Sequence, residues 1–258
     1  MMKEREKFLP SNLFEGMTSI RAILQAGELC ISDRRITEIL YDKTRRASRA
    51  KELHYLEKIS AQKGFVLTPC AAEEIDAITI GTSHGGIVAR CTDRSPVFLV
   101  EATLSSAGFY VMLDGIEDPY NFGYALRSIY AAGADGIILP QRNWMTAAGV
   151  VCRASAGASE LFPLYTAAPE EAVAFFRDYG YKIVCADKKN SCSAYDTDLR
   201  RPVFLIVGGE KRGIGAGVLS QADCIVRIDY GRTFPAALSA ASAATILSYE
   251  VFRQNRQE

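Results

Sequence analysis

The sequence predicts an α/β protein with a small N-terminal α/β domain and a larger C-terminal domain built on a parallel sheet. One indication is the continuous apolar run Val203–Val207, of the kind that a strand buried on both faces of a parallel sheet requires. Another is the alternation of strand-like and helix-like segments along the chain. The 258 residues are enough for two domains with separate cores.

The N-terminal domain is predicted over residues 1–95 from six alternating helix and strand segments. Its helices show apolar spacing typical of one buried face, as in Leu53, Leu56 and Ile59. The predicted elements are a helix over Phe14–Ala26, a strand over Arg35–Tyr41, a helix capped by Ser48 and ending near Gly64, a strand over Phe65–Leu67, a helix over Ala71–Ile78 and a strand over Gly86–Cys91.

Residues 96–108 are predicted to be a linker or a boundary strand. The stretch contains the turn-forming residues Ser105, Ser106 and Gly108, which favour a linker. It also contains the apolar sequence PVFLVEATL, which is typical of a strand. Both interpretations stay open on the sequence alone.

The C-terminal domain, residues 109–258, is predicted to have βαβ organisation. A helix is expected to start just after Asn121, whose side-chain oxygen can cap it, and to stop at Gly133. The other predicted elements are strands over Phe109–Leu113, Gly136–Leu139, Lys182–Ala186, Val203–Val207 and Ile225–Ile228, helices over Met145–Ala154 and Pro169–Tyr179, and a long Ala- and Ser-rich helix near the C-terminus.

Composition indicates a protein of the cytoplasm. No apolar run reaches the length of a membrane span, and the charged N-terminus lacks the apolar core of a signal peptide. The seven cysteines are scattered without a CxxC pair, so neither disulfides nor a zinc site are expected. The two histidines, His54 and His84, do not have metal-ligand spacing, and no metal is expected.

Charge does not indicate a protein that coats RNA through bulk electrostatics, because 30 basic residues balance 30 acidic ones. Basic residues are nevertheless in excess between Arg34 and Lys58. This segment is either a solvated helix face with ion pairs or a surface that faces RNA. On the second interpretation, Arg45, Arg46 and Arg49 are candidate RNA-binding residues.

A ligand site is predicted at the end of the Val203–Val207 strand, where open α/β sheets bind ligands. Gly208 and Gly209 allow close backbone approach, and Glu210 follows them. No GxGxxG follows a strand, so a Rossmann dinucleotide site is not supported. GGEKRGIG also lacks the GK[ST] ending of a phosphate-binding P-loop.

Several segments, in order, resemble the motifs of the SpoU (TrmH) family of RNA ribose 2′-O-methyltransferases. DPYNFGYALRSIYAAGADGIIL resembles the first motif, and GGEKRGI and LSAASAATILSYE resemble the last two. SHGGIVAR resembles the segment that often closes the family's substrate-binding domain. The resemblance implies S-adenosylmethionine as cofactor, structured RNA as substrate, a ribosomal-protein-like N-terminal RNA-binding domain, a C-terminal trefoil knot and a homodimer with residues of both subunits at the site.

The resemblance also assigns site residues. It implies catalytic roles for Asn121, Arg127 and Glu210, with Arg127 orienting the nucleotide near its ribose and phosphate. Arg153, with Ser155, matches a helix end beside the RNA crevice. The residues implied to bind the cofactor are Gly208, Gly209, Glu210, Ile228, Tyr230, Leu238 and Ser239.

The third motif departs from the family pattern. Ile228, Asp229 and Tyr230 stand where the family usually has Ile-Pro-Met, with Asp229 expected beside the cofactor. Residues 238–241 read LSAA where the family usually has Leu-Asn-Val-Ser, so Ser239 and Ala241 are replacements. Two alternatives to an RNA methyltransferase therefore stay open, a non-catalytic RNA-binding family member with a degenerate cofactor motif and a small-molecule methyltransferase.

Overall fold

The structure, a computed structural model, describes residues 12–80, 84–95, 97–140 and 147–256. The chain groups into two compact units. One comprises the described parts of Met1–Ser95 and Asn143–Leu161, and the other those of Pro96–Arg142 and Phe162–Glu258. Residues 147–161 thus group with the N-terminal part of the chain, whereas the sequence analysis assigned them to the C-terminal domain. The predicted domain limits, 1–95, 96–108 and 109–258, stay a prediction.

The regular elements follow in chain order. They are β1 (Leu13–Glu15), α1 (Gly16–Glu28), β2 (Ile36–Asp42), α2 (Ala50–Lys63), β3 (Val66–Cys70), α3 (Ala72–Ile78), β4 (Ile87–Cys91), β5 (Val97–Phe98), β6 (Phe109–Asp114), α4 (Pro119–Ala131), β7 (Gly136–Leu139), α5 (Ala148–Ala154), α6 (Ala158–Leu161), β8 (Leu164–Thr166), α7 (Pro169–Asp178), β9 (Lys182–Ala186), β10 (Cys192–Ser193), β11 (Val203–Gly208), α8 (Ala216–Leu219), β12 (Cys224–Arg227) and α9 (Ala240–Asn255).

The first unit contains a four-stranded sheet with the order β1-β4-β2-β3. Strand β2 runs parallel to β3 and antiparallel to β4, which also pairs antiparallel with β1. Fully buried apolar side chains of the sheet and helices, such as Phe14, Ile39 and Leu56, form its core. The predicted helices and strands of this region are present with shifted ends.

Two of those shifts have clear causes. Helix α1 begins at Gly16, and not at Phe14 as predicted, because Leu13–Glu15 pairs with β4 as a strand. The helical spacing of the apolar residues gave no indication of this strand. Ser48 does not cap α2; its hydroxyl donates to the Arg45 carbonyl oxygen at 3.0 Å, and Arg49 occupies the N-cap position.

A buried ion pair joins two distant parts of the first unit. Arg34 Nε donates to Glu160 Oε2 at 3.0 Å, and both side chains are almost completely buried. Arg34 also donates to the Thr92 carbonyl oxygen at 2.9 Å and lies over the Phe14 ring. The Arg34 guanidinium is therefore held by three groups, and the negative charge of Glu160 balances its positive charge.

Removing the acidic partner is expected to destabilise the first unit strongly. The Glu160→Ala substitution leaves a buried guanidinium without its counter-charge, which costs about 3–5 kcal/mol of unfolding free energy. Urea unfolding followed by circular dichroism measures the loss. Glu57→Ala, which removes the exposed partner of Arg46, is the control and should change little. Equal effects of the two substitutions would contradict the prediction.

The second unit contains an eight-stranded sheet with the order β10-β12-β9-β11-β6-β7-β8-β5. All of its pairings are parallel, which confirms the parallel sheet predicted from the apolar runs. Strand β11 lies between β6 and β9, and Val203–Val207 is buried throughout. The rings of Phe176 and Phe204 stack with centroids 4.0 Å apart against this sheet.

The start of α4 differs from the prediction. The helix begins at Pro119, and its N-cap is Asp118, whose carboxylate accepts the Asn121 N–H at 2.7 Å. Asn121 thus lies within the first turn, which leaves its side chain available for another role. The predicted start of a helix at Met145 lies outside the described residues. The short strands β8 and β10 were not predicted because two or three residues give too little periodicity. Strand β5 lies within residues 96–108, where a boundary strand was one of the two interpretations.

The cysteines are all free thiols. Burial raises the pKa of both Cys91 and Cys185 to about 12, so these thiols stay protonated at neutral pH. Because the thiolate is the reactive form, iodoacetamide should modify the exposed Cys30 and Cys192 in the folded protein and Cys91 and Cys185 only after unfolding. Peptide mass spectrometry after timed alkylation checks this order, and fast labelling of Cys185 in folded protein would contradict it.

Candidate active site

A cavity of about 290 Å³ lies in the second unit at the carboxyl ends of β9, β11 and β12. This edge is where parallel α/β sheets bind ligands. Its apolar side includes Val207, Ile228, Leu238 and Leu247, and its polar side includes side chains of both charges. The remaining lining residues are Ala186, Asp187, Lys188, Lys189, Gly208, Gly209, Glu210, Gly213, Val226, Arg227, Tyr230, Ala237, Ala240 and Ala243.

Two glycines at the end of β11 permit the tight backbone packing that shapes this cavity. A Cβ at Gly209 would lie 2.1 Å from the Gly115 carbonyl oxygen, and one at Gly208 would lie 2.5 Å from the Gly213 carbonyl carbon. The Gly209 N–H donates to the Asp114 carbonyl oxygen at 2.6 Å. No side chain fits at either position without moving backbone.

Most of the residues that the sequence assigned to the cofactor line this one cavity. They are Gly208, Gly209, Glu210, Ile228, Tyr230 and Leu238. Ser239 does not line it. The Ser239 hydroxyl caps α9 by accepting the Ser242 N–H at 3.1 Å, and its oxygen is 2.9 Å from the Ser242 hydroxyl. Ser239 therefore has a structural partner that the motif comparison did not suggest.

A smaller cavity of about 130 Å³ adjoins the first one, since Glu210 and Ala240 line both. Asn121 lines the smaller cavity with the turn after β6. An exposed ion pair of 2.6 Å between Lys211 and Glu117, which also line it, links its two sides. The structure thus brings together two of the three predicted catalytic residues, Asn121 and Glu210.

Arg127 lies apart from these two residues. It is exposed on α4 and lines neither cavity. Among the described residues its guanidinium has no hydrogen bond or ion pair. Such a side chain is free to contact another molecule.

The cavity rim carries charges that the sequence reading did not single out. Asp187, Lys188 and Lys189 follow β9 directly and line the cavity. Their position could have been inferred from the sequence, because they come immediately after a predicted buried strand and therefore lie at the same edge of the sheet as Glu210. Asp229, expected beside the cofactor, is not among the lining residues.

Asp229 is instead held by two neighbours, Arg227, which lines the cavity, and Ser193, which does not. Its carboxylate accepts Arg227 Nε at 2.8 Å. Hydrogen bonding by Ser193 and then by Arg227 lowers the pKa of the Asp229 carboxyl. The residue is therefore ionised and paired, and it does not serve as a free charge for a ligand in the cavity.

The predicted RNA-binding arginines of the first unit all have acidic neighbours. Arg45, Arg46 and Arg49 lie 3.3, 3.9 and 3.1 Å from carboxylates of Asp42, Glu57 and Glu52. Their heads stay partly exposed, as both interpretations of the basic segment require.

Arg153 is held by two partners that are distant from it in the sequence. It donates to the buried Glu15 carboxylate at 2.5 Å and to the Ile80 carbonyl oxygen at 2.8 Å. The Ser155 hydroxyl donates to the Cys152 carbonyl oxygen. Both residues therefore have structural partners within the first unit.

Gly85 and Gly86, which belong to the SHGGIVAR segment, pack closely against the side chains of Arg49 and Arg45. A Cβ at Gly85 would lie 2.8 Å from Arg49 Nη2, and one at Gly86 would lie 2.9 Å from Arg45 Cδ. Both glycines have positive φ. His84, before them, accepts the Gly86 N–H at 3.1 Å and lies 3.0 Å from Asp76 Oδ1, which fixes this turn.

The described ranges contain neither a helix that could span a membrane nor a cluster of metal-ligating side chains. No helix in them is long and apolar enough to cross a bilayer. Within the same ranges, no three His, Cys, Asp or Glu side chains cluster closely enough to hold a metal ion.

Comparison with known sequences identifies one family. The family model described as the SpoU rRNA Methylase family matches residues 108–249. A putative TrmH family tRNA/rRNA methyltransferase of Staphylococcus saprophyticus is 26% identical over 88% of this chain and 92% of its own length. The 23S rRNA (guanosine-2'-O-)-methyltransferase RlmB of Shewanella oneidensis is 30% identical over 70% of this chain and 76% of its own length.

Solved structures share the fold. The crystal structure of an RNA 2'-O ribose methyltransferase matches with a TM-score of 0.76 at 23% identity, covering 94% of this chain and 88% of the other. An AdoMet-bound rRNA methyltransferase from Sinorhizobium meliloti matches with a TM-score of 0.79 at 22% identity, covering 95% and 88%. At these identities the likeness establishes the architecture.

Proposed function

Because the chain belongs to the SpoU rRNA Methylase family, we propose that it transfers a methyl group from S-adenosylmethionine to a ribose 2′-hydroxyl of structured RNA. Ribosomal RNA is the favoured substrate over transfer RNA, in line with the name of the Shewanella relative. The observation that carries the proposal is the cavity at the carboxyl ends of β9, β11 and β12, lined by six of the residues that the family motifs assign to the cofactor.

The lining of this cavity fits S-adenosylmethionine. Apolar residues such as Ile228 and Leu238 suit the faces of an adenine ring. The carboxylates of Asp187 and Glu210 suit the cationic groups of the cofactor, and Lys189 suits its carboxylate. When bound, the cofactor supplies an activated methyl group on a sulfonium.

The protein's own residues have the task of aligning the acceptor and handling one proton. Asn121 and Glu210 line the cavity that adjoins the cofactor cavity, which suits them to brace the target ribose. Arg127 has a planar fork that matches phosphate, and we assign it the orientation of the target nucleotide. A role for Arg127 as general base rests on the family resemblance alone.

A homodimer is part of the proposal. Helices α4 and α9 pack together, and both carry exposed aromatic side chains. Tyr124 is 53% exposed on α4, while Tyr249 and Phe252 are 45% and 42% exposed on α9. A second copy covering these rings would bury apolar surface and would give the exposed Arg127 a place at a shared site.

The dimer has a direct test. Phe252→Glu places a charge on the proposed interface and is expected to shift the protein from dimer to monomer in sedimentation-velocity runs. Phe98→Glu, at another half-exposed aromatic position, is the control and should leave the dimer intact. A wild-type protein that sediments as a monomer at all concentrations would contradict a homodimer.

The chain end and the first unit complete the proposal. We assign the C-terminal segment to a trefoil knot, which is supported by the position of β11 between β6 and β9 and the packing of α9 against α4 and β11. We assign RNA binding to the first unit through Arg45, Arg46 and Arg49, with Arg153 contributing at most its exposed edge. The enzyme would act in the cytoplasm.

A second candidate is a family member that binds RNA without catalysis. The departures at Asp229, Tyr230, Ser239 and Ala241 favour it, because Ser239 and Asp229 are engaged within the protein. The intact cavity and the presence of Asn121, Arg127 and Glu210 favour the enzyme.

Calorimetric titration with S-adenosylmethionine separates the two candidates. The proposed enzyme should bind the cofactor in the micromolar range, about 8 kcal/mol of binding free energy. ATP, which shares the adenosine but not the methionine part, serves as the control ligand and should bind far more weakly. A folded protein that gives no binding heat with S-adenosylmethionine, while retaining affinity for ribosomal RNA, would contradict the enzyme and support the second candidate.

A further inference from the structure

The segment between β12 and α9 forms one wall of the cofactor cavity although it is itself exposed. Gly231–Ala237 are seven consecutive exposed residues. The segment ends with Ala237 and Leu238, which line the cavity. A loop with so little burial has a low intrinsic stability, so its position depends on the contacts at its ends.

Tyr230 closes the base of this loop. Its phenol oxygen accepts the Leu238 N–H at 3.1 Å, so a side chain at one end of the loop is bonded to the backbone at the other. The Tyr230 ring also lies with its centroid 6.2 Å from that of Phe234 in the middle of the loop. Both contacts fix the loop in one arrangement relative to the cavity.

Lys188 fastens the same loop from the end of β9. Its Nζ donates to the Ala236 carbonyl oxygen at 3.0 Å and lies 4.7 Å from the centroid of the Tyr230 ring. Within the described residues, this is the only hydrogen bond that residues 231–237 make. The ammonium thus joins β9, the aromatic ring and the loop in one contact set.

We propose that Lys188 and Tyr230 are positioning residues that fasten residues 231–238 against the S-adenosylmethionine cavity. The inference rests on the proposed function for the identity of the ligand, but the fastening is a property of the free protein. By holding the wall in place before binding, the two side chains remove an ordering cost that the ligand would otherwise have to offset.

The variants Tyr230→Phe and Lys188→Met test the proposal. Each removes one hydrogen bond while keeping the ring or the stem, and each is expected to weaken cofactor binding about three- to tenfold. Tyr195→Phe, which alters an exposed phenol outside the cavity, is the matched control and should bind as the wild type does. Lys188→Arg keeps a donor and a cation and should restore part of the affinity.

A choice of ligand distinguishes fastening from direct contact. S-adenosylhomocysteine has a carboxylate that Lys188 can bind, whereas 5′-methylthioadenosine has none. A fastening role predicts that Lys188→Met weakens both ligands by the same factor in calorimetry. A loss confined to S-adenosylhomocysteine would assign Lys188 to the ligand carboxylate and overturn its positioning role.

Amide hydrogen exchange tests the fastening without ligand. The Leu238 N–H and the peptide covering residues 231–238 should exchange faster in Tyr230→Phe than in Tyr195→Phe. Unchanged exchange together with unchanged or tighter binding would overturn the inference. If the wild type binds none of these ligands, the proposed function fails, while the exchange experiment still decides whether the loop is fastened.

Discussion

The Gly209→Ala protein is expected to lose S-adenosylmethionine affinity by at least about a hundredfold and to unfold at a lower temperature. The added Cβ would lie 2.1 Å from the Gly115 oxygen and 2.5 Å from the Gly115 carbonyl carbon. Both atoms belong to backbone, so the ends of β6 and β11 must separate, and overpacking of this kind costs about 1–3 kcal/mol or more. That separation deforms a wall of the proposed cofactor cavity.

Gly215→Ala is the matched control in the same loop region. A Cβ at Gly215 meets no atom within 4 Å, and its φ of −61° is compatible with alanine. Calorimetry and thermal unfolding of both variants measure the effect. Equal cofactor affinity in Gly209→Ala and Gly215→Ala would show that the cofactor does not use this wall.

The Arg127→Ala protein is expected to bind S-adenosylmethionine normally and to methylate RNA at least about a hundredfold more slowly. Arg127 lines neither cavity, so its removal leaves the cofactor contacts intact. The loss arises because a misplaced acceptor reacts far more slowly than an aligned one. Arg127→Lys keeps the charge but loses the planar fork, and it should restore only part of the rate.

Methyl incorporation into RNA under single-turnover conditions measures this rate, and calorimetry measures cofactor binding. Arg200→Ala removes an exposed arginine paired with Asp198 and is the control for a general loss of surface charge. An Arg127→Ala protein with full methylation activity would remove Arg127 from the proposed site. A variant that fails to bind the cofactor would place Arg127 in the cofactor site instead.

The parallel sheet and the cavity at the carboxyl ends of its strands were predictable because they rest on local patterns. Val203–Val207 is apolar throughout, as a strand buried on both faces must be, and Gly208 and Gly209 follow where backbone passes close to backbone. The same logic located Glu210 at the sheet edge. These features need no knowledge of distant residues.

Features that depend on distant residues were not predictable in this way. Arg153 follows a helical pattern, but its partner Glu15 is 138 residues away. Gly149 packs so closely on β1 that a Cβ would lie 1.9 Å from the Leu13 oxygen, and nothing local signals that contact. The grouping of residues 147–161 with the first unit follows from such contacts.

The third motif shows an intermediate case. Its departures at Tyr230 and Ser239 were visible in the sequence, but their consequences were not. Ser239 caps α9, and Tyr230 binds the Leu238 N–H across a loop. Each substitution thus has a partner within this chain, which explains how the cavity is retained despite the altered motif.

The central claim is tested most directly by the position of the transferred methyl group. The protein is incubated with ribosomal RNA transcribed without modification and with S-adenosylmethionine carrying a tritiated methyl group, and the RNA is then hydrolysed in alkali. A ribose 2′-O-methyl group blocks cleavage at its own nucleotide, so the account predicts tritium in alkali-resistant dinucleotides, and far less of it at equal times with Arg127→Ala. Tritium found only in mononucleotides would indicate base methylation and would contradict the account. The account would also be contradicted if the protein binds the cofactor but labels neither ribosomal RNA nor transfer RNA tested in the same way.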